Sequence, residues 1–292
     1  MRPSQALGST LAVVLLLGGL AADAAALRVP GKSRPASGDK PAPTDLNDLS
    51  MEVGALQVLY LLQLTPAQLE DLAKRVRSTA QTPEPRTEPK VSARMRQTLL
   101  DLRRALLDGD AEKIDQLNVE LDKLFDKEQP EFEDGIEITD AARDQAPEVL
   151  RRLSARQAAS FLAGYADGFP DPRERLAEAI AEVRKRPDKE WQPLRDDVAD
   201  EVSWLVAGLD VEAEAGVRDR VTALLDRAHR LKDEAFKAKR AELDREVDRI
   251  VGKLGPTDVH RHFLERTLAE LLSNPRLAAA LEARARKGKQ DK

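Results

Sequence analysis

The chain has 292 residues but no cysteine, only three histidines, and an aromatic fraction of 3%. Without cysteine it can form no disulfide, no thiol nucleophile, no thiolate metal site and no lipid-modified cysteine. With so few aromatic side chains the core must be built from leucine, valine and alanine, a palette that suits helices. Charge of one sign is also lacking, since 47 basic residues face 52 acidic ones. No bulk basicity points to nucleic acid. Gly-x-Ser-x-Gly elbows and glycine-rich phosphate loops are missing, and no serine has an evident histidine partner. Strand-type alternation is nearly absent as well, so the expected fold class is all-α.

No apolar run is long enough to cross a bilayer. The longest, from Leu11 to Ala22, follows Arg2 and precedes the small-residue stretch AADAAA. About 12 residues fall short of the roughly 20 that a spanning helix needs. The pattern is that of a secretory signal peptide over residues 1–26, with cleavage after Ala24 or Ala26 and a periplasmic or secreted destination. Residues 27–45 are rich in proline and read as a flexible linker. The helical domain is expected over 46–287, with a subdivision near 130–153, followed by a disordered tail at 288–292.

Between these limits apolar residues recur at helical spacing, and the start and stop signals imply about nine amphipathic helices in a bundle-like or hairpin array. The first spans residues 50–62, the second starts at Pro66, and the third covers 92–108. Asp110 caps a fourth with the stripe Ile114, Leu117, Leu121 and Leu124. Thr139, Ser154, Asp171 and Asp188 are placed to cap the next four. Residues 211–252 contain no proline and a single internal glycine before Gly252, so they form one long helix or two broken near Lys232 and Asp233. Two further helix starts follow, at GPTDVHRHF and at SNPRLAAALEARARKG. Asp108 to Glu148 holds fifteen acidic and four basic residues, a local net of −11. That band is either a solvated face or a surface for cations or a basic partner.

The most structured short motif is LTPAQL. Thr65 can accept from the backbone three residues on, Gln68 can reach back to the Thr65 N–H, and Pro66 presets the first helical angle. Leu64 and Leu69 occupy the positions of a hydrophobic staple. Leu153, Ser154 and Gln157 repeat the pattern, with Ala158 as a small staple partner.

This pair of turns, in an exported chain without cysteine, resembles the Leu-Thr-x-x-Gln turns of the Spy/CpxP superfamily of periplasmic helical proteins. That superfamily includes ATP-independent chaperones, envelope-stress modulators and metal sensors. The resemblance implies that Leu64, Thr65, Gln68, Leu153, Ser154 and Gln157 shape helix corners and perform no catalysis.

Other chemistry finds little support. His260 and His262 are two residues apart, about 200° on a regular helix, so they would share an ion only on an irregular turn. Asp226 to His229, DRAH, has half of a di-iron carboxylate motif and lacks its second half. Placing Gly135 at the sixth position of a calcium loop puts Pro130 first and Phe132 third, which fails the ligand requirement. Trp191 and Trp204 are expected to anchor the core near Val202 and Leu205. No catalytic residue, cofactor or metal site is therefore assigned. The expected function is that of an exported, non-catalytic helical binding protein, chaperone-like or envelope-stress related. Its partners would be proteins or unfolded clients, with no nucleic acid and no membrane span once the leader is removed. The alternatives are a scaffold that uses the 211–252 segment as a spacer and the acidic band as a dock, and a metal-responsive periplasmic sensor.

Overall fold

The computed structural model describes residues 45–81, 86–130, 132, 136–164 and 171–290. The expected signal peptide, and all of the linker except Asp45, lie outside the described residues. Within them there are twelve helices and no strand: α1 Leu46–Leu62, α2 Pro66–Thr79, α3 Ala93–Asp108, α4 Ala111–Glu128, α5 Asp140–Leu150, α6 Ala155–Ala163, α7 Pro172–Val183, α8 Asp188–Ala207, α9 Val211–Arg230, α10 Asp233–Val251, α11 Pro256–Ser273 and α12 Leu277–Gln290. None is long and apolar enough to cross a membrane.

Twelve exceeds the expected nine: the start signals along the chain already mark eleven helices, and 211–252 takes the divided of its two expected forms. Leu231 and Lys232 adopt extended backbone angles and divide 211–252 into α9 and α10, although neither is glycine or proline. Two things draw α10 back: Phe236 packs under the Arg184 guanidinium at 3.8 Å, and Leu243, Val247, Ile250 and Val251 bury themselves with the α7–α9 core. Burial of that stripe overrides local helix propensity. At α8 the cap is Pro187 instead of Asp188, which sits in the first turn.

The described residues form two compact units, which divide between 164 and 171 and again within α11, between Leu268 and Ala269. In the unit made of α1–α6, the end of α11 and α12, α1 is buried on all sides. An apolar helix with no polar face is a central helix, which here begins four residues earlier than its pattern indicated. Its N-terminus is closed by the Asp45 side chain on the Asp48 N–H and by Glu88 on the Leu46 N–H. Two of its buried polar residues pair with other segments. Asn47 donates to the Thr87 carbonyl, and Glu52, 2% exposed, pairs with Arg103 of α3 at 2.8 Å.

A second polar knot holds the ends of α2 and α11 together. Thr79 donates to the Leu272 carbonyl and the Gln81 N–H to that of Ser273. Thr139, the cap of α5, joins the same knot as a donor: its N–H donates to Ser273 Oγ and its hydroxyl to the Thr79 carbonyl. These bonds satisfy helix-end groups that would otherwise be orphaned.

The other unit, residues 171–268, is centred on Leu176, Ile180, Val198, Val202, Val221 and Leu224. Trp191 lies in this core, stacked on the His229 ring with centroids 4.3 Å apart. Trp204 is half-buried, tilted against Phe263 with Arg266 near its ring.

Candidate functional site

The two capped turns, 89 residues apart in sequence, meet in space. The first follows α1, which ends with Gln63 in the left-handed region (φ 46°, ψ 48°) and its N–H on the Tyr60 carbonyl. This sharp reversal brings Leu64 inward, where it is buried, and places Thr65 as the cap of α2. The Thr65 N–H donates to Gln68 Oε1 at 2.9 Å, and the Gln68 N–H donates back to Thr65 Oγ1 at 3.3 Å. The second turn follows α5. There the Ser154 N–H donates to Gln157 Oε1 at 2.9 Å and the Gln157 N–H to Ser154 Oγ at 3.2 Å. Leu153 is half-buried beside it. Each turn is thus a complete capping box.

Both glutamine oxygens are already oriented by these caps, which leaves both amide nitrogens pointing away from their own turns. Each nitrogen donates to the other glutamine's oxygen: Gln68 Nε2 to Gln157 Oε1 at 3.2 Å and Gln157 Nε2 to Gln68 Oε1 at 2.9 Å. Each also reaches the backbone that enters the opposite turn. Gln68 Nε2 donates to the Arg152 carbonyl at 2.8 Å, and Gln157 Nε2 to the carbonyls of Leu62 and Gln63 at 3.2 and 3.3 Å. The result is a reciprocal amide clamp in which one residue type caps its own helix and closes the C-terminal carbonyls of another.

Charges reinforce the same joint. Asp71 of α2 accepts from Arg75 at 2.9 Å and from Arg152 at 2.7 Å. Burial works to raise the Asp71 carboxyl, but the bonds and charges of Arg75 and Arg152 prevail and hold it below the usual carboxylate range. Arg75 continues to Gln145 and Glu148 of α5. Helix α2 is thereby fastened to α5 as well as to the following corner.

The other residues singled out in the sequence are placed separately. His262 is buried, with Nδ1 donating to the Leu205 carbonyl at 2.8 Å and Nε2 at 3.3 Å from Arg261. His229 Nδ1 lies 2.8 Å from the Val183 carbonyl, and Asp226 pairs with Arg195 at 3.0 Å. Among the described residues, three or more histidine, aspartate or glutamate side chains nowhere converge as metal ligands would. Gly135 lies outside the described residues, while Phe132 stacks on Phe125 with centroids 5.7 Å apart.

The cross-pairing of Gln68 with Gln157 was not legible from either turn alone. Its only sequence signal was the repetition of the box itself. The buried pairs of α1 had a signal too, in polar residues at Glu52 and Gln57 within an otherwise apolar helix. No family model, no curated protein and no solved structure matches this chain.

Proposed function

We propose that this protein is an exported, non-catalytic helical binding protein that acts on other proteins in a chaperone-like way. The observation that carries this reading is the Gln68–Gln157 clamp. The two turns that resemble those of the Spy/CpxP superfamily act as one mechanical joint, built from neutral amides that hold helices and have no proton to transfer near neutral pH. In this reading the joint fixes the angle between the α1–α2 and α5–α6 corners. The apolar strips between amphipathic helices take up exposed hydrophobic segments of a client, and charged residues, 34% of the chain, keep the complex in solution.

The test is a light-scattering assay of a chemically unfolded client diluted into buffer with an equimolar amount of the purified protein. Suppressed aggregation supports the proposal. Aggregation that proceeds as in its absence removes it.

A further inference from the structure

Fourteen of the seventeen residues of α1 are buried, so every flank of this helix has to be covered by other segments. One flank is covered by α12, which lies against α1 and also touches α2 and α3. As a cover α12 is thin. Its buried side chains are Leu277, Ala280 and Leu281, the i, i+3, i+4 spacing of one helix face. The next position on that face is Arg284, and from Glu282 to Lys287 no side chain is buried. The most apolar helix of this unit is therefore shielded on one side by two leucines and an alanine.

The two ends of α12 are held differently. At its base Asn274 Nδ2 donates to the Met51 carbonyl of α1 at 2.9 Å, the Arg276 N–H donates to Asn274 Oδ1 at 2.7 Å, and Arg276 pairs with Asp48 at 3.4 Å. At its far end Lys287 Nζ reaches Asp108, the last residue of α3, at 2.6 Å, and both side chains of that pair are partly exposed. Pairs open to water contribute little, and a helix with few buried apolar contacts opens locally before the rest of its domain. Asp108 also begins the stretch to Glu148 whose local net charge is −11, so the ground under the far end of α12 favours a cation.

We propose that α12 is a displaceable strap, and that the flank of α1 beneath it is the docking site for a helical segment of a partner protein with the chemistry of α12 itself. That segment carries leucine and alanine at i, i+3 and i+4 and a cation about a turn and a half further on. The far end of α12 swings away from its fixed base, the incoming helix buries its leucines on α1, and its cation takes the place of Lys287 at Asp108. The proposal rests on the reading of this protein as a binder of other polypeptides, and gives that reading a place and a client chemistry.

Fluorescence anisotropy tests this on the purified protein, with a labelled peptide of residues 277–290 as the probe. Leu281→Ala thins the buried face of the strap, and Lys287→Ala removes its outer tie. The apparent affinity of a covered site scales with the fraction of molecules in which it is open. Leu281→Ala should therefore bind the probe about tenfold or more tighter than the parent, and Lys287→Ala about threefold or more tighter. A probe carrying Leu281→Asp should bind the Leu281→Ala protein about tenfold or more weaker than the unaltered probe. Circular dichroism confirms that each protein variant is folded. The proposal is overturned if both folded variants bind the probe no tighter than the parent, or if the probe with Leu281→Asp binds as the unaltered one does. It is also overturned if Leu281→Ala becomes a dimer by light scattering, which gives the flank to a second copy of this chain. The aggregation assay decides the broader reading separately. Tighter probe binding without suppressed aggregation keeps the strap and removes the chaperone-like role, whereas suppression without tighter probe binding removes the strap alone.

Discussion

Replacing Gln157 by alanine should cost this protein more than the loss of one capping residue. The substitution frees the Ser154 N–H, the carbonyls of Leu62 and Gln63, and the oxygen and one donor of Gln68. A helix cap contributes about 1 kcal/mol, and a net intramolecular hydrogen bond about 0.5–1.5 kcal/mol. The joint is half-buried, so water recovers part of what is lost, and a total near 2 kcal/mol is expected. Gln68→Ala should cost a similar amount, because its bonds are the mirror of those of Gln157. The double variant should then lose less than the sum, by a coupling of about 1 kcal/mol, since the mutual bonds vanish in either single variant. Urea unfolding of the four proteins gives these energies. Amide exchange at Thr65 supplies a local reading, for its N–H is capped by Gln68 and should exchange faster when Gln157 is removed. The clamp is refuted as a coupled unit if the energies add within about 0.3 kcal/mol and Thr65 exchange in Gln157→Ala matches the parent.

Further substitutions probe the rest of the fold. Gly208 has φ +66°, and a Cβ there would meet the His262 ring at 3.0 Å, whereas a Cβ on Gly216 would meet nothing within 4 Å. Gly208→Ala should therefore destabilise by about 1–3 kcal/mol and Gly216→Ala, inside α9, should stabilise by up to about 1 kcal/mol; equal melting shifts would contradict this. Removing one member of the buried Glu52–Arg103 pair leaves an uncompensated charge, so Glu52→Ala should cost about 3–5 kcal/mol while Glu52→Leu with Arg103→Met recovers most of it. If the double variant is no more stable than the single, as read from denaturant midpoints, the burial argument fails. Burial first, and then Asp126, raises the Asp122 carboxyl above its ordinary value. Its charged form is disfavoured in the fold, so stability falls as pH rises through the folded value and stays lower at neutral pH. Asp122→Asn should raise the melting temperature near pH 7, and the gain should vanish near about pH 3, where both states are protonated. A gain of the same size at both pH values would count against it.

The sequence alone determined the helical class and most helix ends. Asp110, Thr139 and Ser154 each accept the backbone bond that their side chains announce, because capping is a contact between residues two or three apart. The same locality made Leu64, Thr65 and Gln68 readable as a corner. The tertiary structure decided what no local rule contains. Of the two forms open to 211–252 it chose the divided one, broken at Leu231 and Lys232, because the α10 stripe gains more by folding back onto the core than by continuing straight. It made α1 the central helix, with Glu52 and Gln57 acceptable only because Arg103 and Asn118 arrive from other helices. It also joined Gln68 to Gln157. Each capping box orients its own glutamine oxygen and leaves the nitrogen pointing away, so the partner of that nitrogen is set by where two distant corners come to rest.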